Sequence, residues 1–361
     1  MRHRFHSMCP YFAMFPEQFA AKWIESRSKP GDVVLDPFSG RGTTPFQALL
    51  MDRQGVGADI NPVAACLNLA KLAAPSKKTV LRRLDQLQKS RDEHPYSGCI
   101  EDLPEFFHIA FHRETLRDLL FLREVLSWRS RRSDSLIAAL VLGALHGEVS
   151  STRYLSNQMP RTISTKPAYS LRFWKSRGLI APIRDVFSVL RTAVEYRYSS
   201  TVPTLQGIAH FNDMRELPRR WKTDKASLVV TSPPYGALTS YEEDQWLRLW
   251  ALGGPSAPGK ARVTRDDRLQ RASDYWSFIG DFWRSISLVT KADATVVVRV
   301  GAVKTSPQLL AKQFAASLAL SPRAGHLVSV DQSSIAGRQT RAFTPGTRGC
   351  GFEVDLEFLL R

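Results

Sequence analysis

Ser232-Pro233-Pro234-Tyr235 is the stretch of this chain best equipped for chemistry. Two consecutive prolines fix φ and remove two backbone donors, so the carbonyls around them are left to accept hydrogen bonds from another molecule. Ser232 adds a small hydroxyl, and Tyr235 a rigid ring that can stack on a planar ligand. Acceptors beside a stacking ring suit the exocyclic amino group of a nucleobase. A strand-ending turn without chemistry is the competing reading of the tetrapeptide taken alone. Ser227-Leu228-Val229-Val230 before it reads as a buried strand, so the turn lies where that strand leaves a sheet.

A second stretch, from Gly31 to Thr44, runs as a strand into a glycine-punctuated turn and on into a helical segment from Pro45 to Met51. In a doubly wound sheet such a turn lies at the carboxyl edge, where ligands bind. Gly40 and Gly42 permit close backbone approach and positive φ. The G-x-G-x-x-G spacing of a dinucleotide site is absent, and no Gly-Lys-Ser/Thr follows to make a P-loop. Asp36 with hydroxyls, and no phosphate-binding lysine, suits a zwitterionic ligand without phosphates. Gly55-Val56-Gly57-Ala58-Asp59 reads as a second strand whose terminal acid can accept from a ribose diol. For Asp59, followed by Ile60-Asn61-Pro62, a helix cap is the alternative, and Asp36 and Asp213 have cap or turn alternatives of the same kind.

Together these residues resemble the amino-methyltransferases, which use S-adenosylmethionine to methylate exocyclic nitrogens of DNA bases. Asp36-Pro37-Phe38-x-Gly40-x-Gly42-Thr43-Thr44 resembles their cofactor motif and Ser232-Pro233-Pro234-Tyr235 their catalytic motif. Cys9 to Pro16 is similar to the family's further cofactor motif around the methionine moiety. The serine-headed catalytic form is associated mainly with N4-cytosine methylation, and Asp- or Asn-headed forms with N6-adenine. The resemblance covers residues 5–75 and 205–300. It implies S-adenosylmethionine as cofactor, with Asp36 at its amino end, Gly40 and Gly42 allowing close approach, Asp59 at the ribose and Asp213 at the adenine. Phe12 and Met14 would line the cofactor or belong to the core, and Phe38, Thr43 and Asn61 complete the expected cofactor set. Ser232, Pro233, Pro234 and Tyr235 would hold the target base, flipped out of double-stranded DNA. A cognate restriction endonuclease acting on the same site is a partner consistent with the resemblance.

The elements that must position these motifs fall into three parts. The opening βαβα pattern argues for a parallel sheet. From about Ser76 to Tyr198 the strand signal disappears and Leu81–Arg91, Glu114–Trp128, Ser135–Glu148 and Ile183–Tyr198 carry helix-period apolar positions. At Ile208 the alternation resumes, with strands at Ala294–Val300, His326–Val330 and Phe352–Leu359. The expected fold is α/β, a Rossmann-like methyltransferase sheet, mostly parallel with an antiparallel strand near the C-terminus, and a helical insertion. Residues 1–75 would form the first half of the methyltransferase domain, 76–205 the insertion and candidate DNA-recognition region, and 206–361 the second half.

Composition agrees with a polyanionic partner. The 361 residues hold 50 Lys and Arg against 34 acids, a formal charge of +16. The densest basic stretch runs from Arg153 through Arg161 to Lys166, Arg172, Lys175 and Arg177, and its Asn157, Gln158 and aromatics add groups that can meet base edges. A solvated basic face is the competing reading. Lys260 to Arg271 and Arg338-Gln339-Thr340-Arg341 are further candidates. No apolar run reaches the roughly 18 residues of a spanning helix, and the first residues lack a signal-peptide core, so an intracellular, DNA-associated protein with no membrane partner is expected. Cys9, Cys66, Cys99 and Cys350 are scattered and read as reduced cysteines, and no metal site is apparent. His108, His112 and His146 read as satisfied residues of the helical part. The alternatives to a DNA N4-cytosine enzyme are an N6-adenine enzyme, an RNA base methyltransferase, and an inactive nucleic-acid-binding protein of the same fold.

Overall fold

The computed structural model describes residues 2–11, 15–94, 96, 98–234, 241–258, 272–301, 305–334 and 352–361. They fall into two compact units. One comprises Pro16–Ile60, Gly207–Thr239 and Arg265–Arg361, the other Met1–Phe15, Asn61–Gln206 and Ser240–Thr264.

The first unit carries a seven-stranded sheet. β1 (Val33–Asp36), β2 (Gln54–Asp59), β3 (Ile208–Phe211), β4 (Ala226–Thr231), β5 (Thr290–Val300), β6 (Gly325–Ser334) and β7 (Phe352–Leu360) stand in the order β3-β2-β1-β4-β5-β7-β6. The first five are parallel, and β7 runs antiparallel between β5 and β6. This is the mostly parallel Rossmann-like sheet with an antiparallel C-terminal strand that the sequence predicts. Val33-Val34-Leu35 are buried together because a parallel strand has both faces covered. Strand order reverses between β1 and β4, so the carboxyl ends of these two strands flank the switch point of the sheet.

Helices α1 (Glu17–Arg27), α2 (Thr43–Leu50), α10 (Leu217–Arg220), α13 (Ala272–Val289) and α14 (Pro307–Ser317) belong to the same unit. α13 turns Phe278, Ile279, Phe282, Trp283, Ile286 and Val289 into a core shared with Val296, Val298, Leu356 and Phe358 of the sheet. That spacing is one face of a helix. At Gly55 an added Cβ would fall 1.9 Å from the Pro45 carbonyl oxygen, so β2 and α2 approach more closely than any side chain allows.

The second unit is helical among its described residues. It contains α3 (Pro62–Leu72), α4 (Lys77–Glu93), α5 (Glu105–Ala110), α6 (Arg113–Val125), α7 (Arg132–Ala144), α8 (Pro167–Ser176), α9 (Val186–Arg197), α11 (Tyr241–Asp244) and α12 (Trp246–Ala251). The predicted helices at 81–91, 114–128, 135–148 and 183–198 correspond to α4, α6, α7 and α9, with shifted ends. α5, α8, α11 and α12 were not expected, each being too short for its apolar period to stand out. At Gly143 an added Cβ would lie 2.1 Å from the Met8 carbonyl oxygen, which lets the N-terminal stretch press on α7. No helix among the described residues is long and apolar enough to cross a membrane.

Candidate functional site

The carboxyl edge of the sheet gathers the predicted residues of the first unit. β1 ends at Asp36, whose side chain is 1% exposed. Its Oδ1 accepts from Thr231 Oγ1 at 2.6 Å and from the Phe38 amide at 3.1 Å. Burial pushes the Asp36 carboxyl up to about 7, against these hydrogen bonds, which pull it down. Thr231 is the last residue of β4, so this bond spans the switch point. Thr44 Oγ1, on the first turn of α2, donates to the Val230 carbonyl at 3.0 Å and ties the glycine turn to the same strand.

The turn after β1 is built around positive φ at Gly40 (49°) and Gly42 (74°), the left-handed values that favour glycine. Gly42 is the N-cap of α2, and its amide donates to the Ser39 carbonyl at 2.7 Å. The Ser39 amide and hydroxyl both reach the Ala58 carbonyl at 3.0 Å. The Gly40 amide donates to Asp59 Oδ2 at 2.8 Å. Asp59, at the end of β2, therefore fastens the turn and does not cap α3. Asn61 does that, its side-chain oxygen accepting from the Val63 amide at 2.8 Å, and it lies in the helical unit. Thr43 is buried and accepts from the buried Arg41 Nε at 3.2 Å. Phe38 packs its ring 5.5 Å from Phe278 and 5.8 Å from Phe282.

β3 ends one residue before Asn212, and Phe211 sits in register with Asp59. The Asp213 carboxylate is engaged locally by Arg215. It caps a short 3-10 turn through the Arg215 amide at 2.9 Å and pairs with the Arg215 guanidinium at 2.9 Å. The Asn212 side-chain oxygen and nitrogen are both buried and make no hydrogen bond among the described residues. The sequence reading missed Asn212, Thr231 and Ser39. A polar residue at each strand end was the available signal.

Ser232, Pro233 and Pro234 follow Thr231 directly, with Pro233 buried and its neighbours half-buried. Tyr235, Phe12 and Met14 lie outside the described residues, as do Lys260–Arg271 and the Arg338–Arg341 stretch.

In the helical unit, Arg153, Arg161, Lys166, Arg172 and Lys175 are all exposed. Arg161 pairs with Glu148 at 3.5 Å, Lys166 with Glu243 at 3.1 Å, and Lys175 with Glu105. The amides of this stretch are used inside the fold. Asn157 donates to the Ile109 and Leu179 carbonyls at 3.2 and 3.0 Å, and Gln158 Oε1 accepts from the Val149 amide at 2.8 Å. The charges are thus on the surface, and these two amides serve the scaffold. His146 is buried and bonded to the Pro160 carbonyl at 2.7 Å, and desolvation together with the nearby Arg248 charge holds it neutral, well below the ordinary histidine range.

Residues 3–68 match the family model described as DNA methylase, N6_N4_Mtase. The chain is 26% identical over 265 residues to the Type II methyltransferase M.MvaI of Kocuria varians, covering 70% of this chain and 57% of that protein. It is 46% identical over 52 residues to the Type II methyltransferase M.Cfr9I of Citrobacter freundii, 14% of this chain and 17% of that one. Among solved structures, the rRNA methyltransferase aviRa of Streptomyces viridochromogenes aligns at 12% identity and a TM-score of 0.37, over 99% of this chain and 94% of that chain. A superposition this loose says nothing of the site. The chain spans only 57% of M.MvaI, a little over half of that relative. The family match runs through the glycine turn and Asp59, the longer similarity is to a Type II methyltransferase, and the chain is thus similar to the DNA amino-methyltransferases, N4 and N6 types taken together.

Proposed function

We propose that this chain transfers the methyl group of S-adenosylmethionine to the N4 amino group of a cytosine in double-stranded DNA. The observation that carries this reading is the seating of Ser232-Pro233-Pro234 at the switch point, next to Asp36 through the Thr231 hydrogen bond. Ligand turn and base turn are there neighbours on adjacent strands.

The residues of the edge fit the cofactor. Asn212 keeps one buried donor and one buried acceptor without partners among the described residues, the pair of groups that an adenine edge complements. Gly40 and Gly42 open the turn to close approach, and Asp59 Oδ2 orders it through the Gly40 amide. Asp36, buried and titrating near neutrality, becomes a full carboxylate when a cationic amino group is beside it. When bound, S-adenosylmethionine supplies an electrophilic methyl on a sulfonium centre.

Ser232 Oγ and the Pro233 carbonyl accept the two N–H bonds of the cytosine amine. They would draw its delocalised lone pair toward a more pyramidal nitrogen, aligned for in-line attack on the methyl. The N–CH3 bond would form as the S–CH3 bond breaks, S-adenosylhomocysteine would leave, and the proton lost from N4 would pass to solvent. The contribution is positioning and electrostatics, with no cysteine nucleophile. Tyr235 stacks on the base, which leaves the duplex to reach the turn. Residues 76–205 read the DNA, with Arg153, Arg161, Lys166, Arg172 and Lys175 on phosphates. A restriction endonuclease for the same site is the partner this reading implies.

The test is transfer of a radiolabelled methyl group from S-adenosylmethionine to duplex DNA in vitro. Wild type labels the DNA, and Ser232→Ala binds the cofactor equally well but labels it at least tenfold more slowly, the order of one lost transition-state acceptor. Equal rates would remove Ser232 from the reaction.

A further inference from the structure

One short segment of the helical unit, Glu243–Arg248, holds the loop Arg161–Lys166 almost residue by residue. Arg248 Nη2 donates to the Arg161 carbonyl at 2.6 Å and Nη1 to the Thr162 carbonyl at 3.2 Å. Gln245 Nε2 donates to the same Thr162 carbonyl at 3.3 Å. The Ser164 amide donates to the Asp244 carbonyl at 2.7 Å, and Trp246 Nε1 to the Thr165 carbonyl at 3.0 Å. Lys166 pairs with Glu243. His146 completes the hold through the Pro160 carbonyl and Ser164 Oγ.

Arg248 is the centre of this arrangement, and its chemistry is unusual. It is 0% exposed, and no carboxylate among the described residues pairs with it. Its remaining bonds go to the Leu142 carbonyl at 3.1 Å and Gln245 Oε1 at 2.6 Å. A buried guanidinium compensated only by neutral acceptors is costly to keep. What it gains is geometry, because a rigid fork bonded to successive carbonyls fixes backbone direction as one lysine or one apolar contact does not. α12, which carries Trp246 and Arg248, is itself anchored by rings, with Trp246 4.8 Å from Phe106 and Trp250 4.6 Å from Phe107. Within this rigid frame the side chains of Arg161 and Lys166 are exposed. Glu243–Arg248 also stands just downstream in the chain from the Ser232–Pro234 turn.

We propose that Glu243–Arg248 is a clasp that sets sequence discrimination. Arg248 is a positioning residue that holds the Arg161–Lys166 loop in the conformation in which it reads DNA. The inference rests on the assignment of DNA reading to residues 76–205. Charge supplies affinity and its salt dependence, whereas loop geometry decides which bases are favoured. The two contributions therefore separate by mutation.

The experiment selects bound sequences from a pool of short randomised duplexes, which needs neither a known site nor turnover. Wild type enriches one motif. Arg248→Lys keeps the charge but loses the fork. Trp246→Phe keeps the ring but loses the bond to the Thr165 carbonyl, and is the variant to rely on if Arg248→Lys does not fold. Both are expected to lower motif enrichment by roughly tenfold, the order of one lost base contact, while the salt slope and cofactor affinity stay at wild type. Arg161→Ala with Lys166→Ala flattens the slope instead. Folded clasp variants that select the wild-type motif with wild-type enrichment overturn the proposal, and so does a wild-type protein that selects no motif. A chain that selects a motif but methylates no base would defeat the methyltransferase reading and leave the clasp standing.

Discussion

Thr231 Oγ1 and Asp36 Oδ1 lie 2.6 Å apart, a hydrogen bond between the last residues of β4 and β1 across the point where strand order reverses. It couples the proposed base turn to a buried acid that titrates near neutrality. A threonine and an aspartate 195 positions apart share one proton-sensitive contact.

The burial of Asp36, which outweighs this hydrogen bond, makes stability depend on pH in a definite direction. Asp36 is raised from 3.8 to about 7 in the folded chain, so between these values the folded state holds a proton that the unfolded state has lost. Its contribution is full below about pH 4 and declines by about 1.4 kcal/mol per pH unit as pH rises toward about 7, then levels off. Denaturant titrations across this range check it. Asp36→Asn should remove that part of the slope, and an identical slope in the variant would mean that other groups carry it.

Cofactor binding should move the same proton. An ammonium beside Asp36 favours the carboxylate, so binding S-adenosylhomocysteine at about pH 6 should release up to about one proton, and at about pH 8.5 almost none from this group. Calorimetry in buffers of different ionisation enthalpy reads the number directly. Asp36→Asn should bind more weakly and release none. Unchanged release in the variant would detach Asp36 from the ligand.

Asn212 gives a prediction in which stability and binding move in opposite directions. A buried amide without partners, as Asn212 is among the described residues, costs about 1–3 kcal/mol in the ligand-free protein. Asn212→Leu should therefore melt at or above the wild-type temperature without ligand and yet lose affinity for S-adenosylhomocysteine. Lower stability together with full affinity would assign the amide to the scaffold.

Among the described residues, Arg161 pairs with the exposed Glu148 and the exposed Lys166 with the half-buried Glu243, and surface pairs of this kind are worth about 0–1 kcal/mol and yield readily to a phosphate. Neutralising both should weaken binding to duplex DNA and reduce the salt slope by roughly two, with cofactor affinity unchanged. A wild-type slope would make this a solvated face, and binding would then be sought at Lys260–Arg271.

Legibility in the sequence followed the range of the interactions. β1, β4, the glycine turn and the antiparallel C-terminal strand are local patterns of apolar and turn residues, and they stand as read. The positive φ at Gly40 and Gly42 follows from two glycines in a strand-to-helix turn. The side-chain partners were a different matter. Nothing local says that Asn157 is spent on Ile109 and Leu179, or that Asp59 reaches back to Gly40 while Asn61 takes the cap. The clasp was hidden for the same reason, since Arg248 and Arg161 meet only when two stretches far apart in the chain fold together.

Nucleoside analysis of DNA tests the central claim most directly. The chain is expressed in a host without DNA methylation of its own, and the host DNA is digested and analysed by mass spectrometry. The account predicts N4-methylcytosine with wild type and none above background with Ser232→Ala. N6-methyladenine as the sole product would contradict the base assignment, and unmodified DNA from a folded, cofactor-binding protein would contradict the function itself.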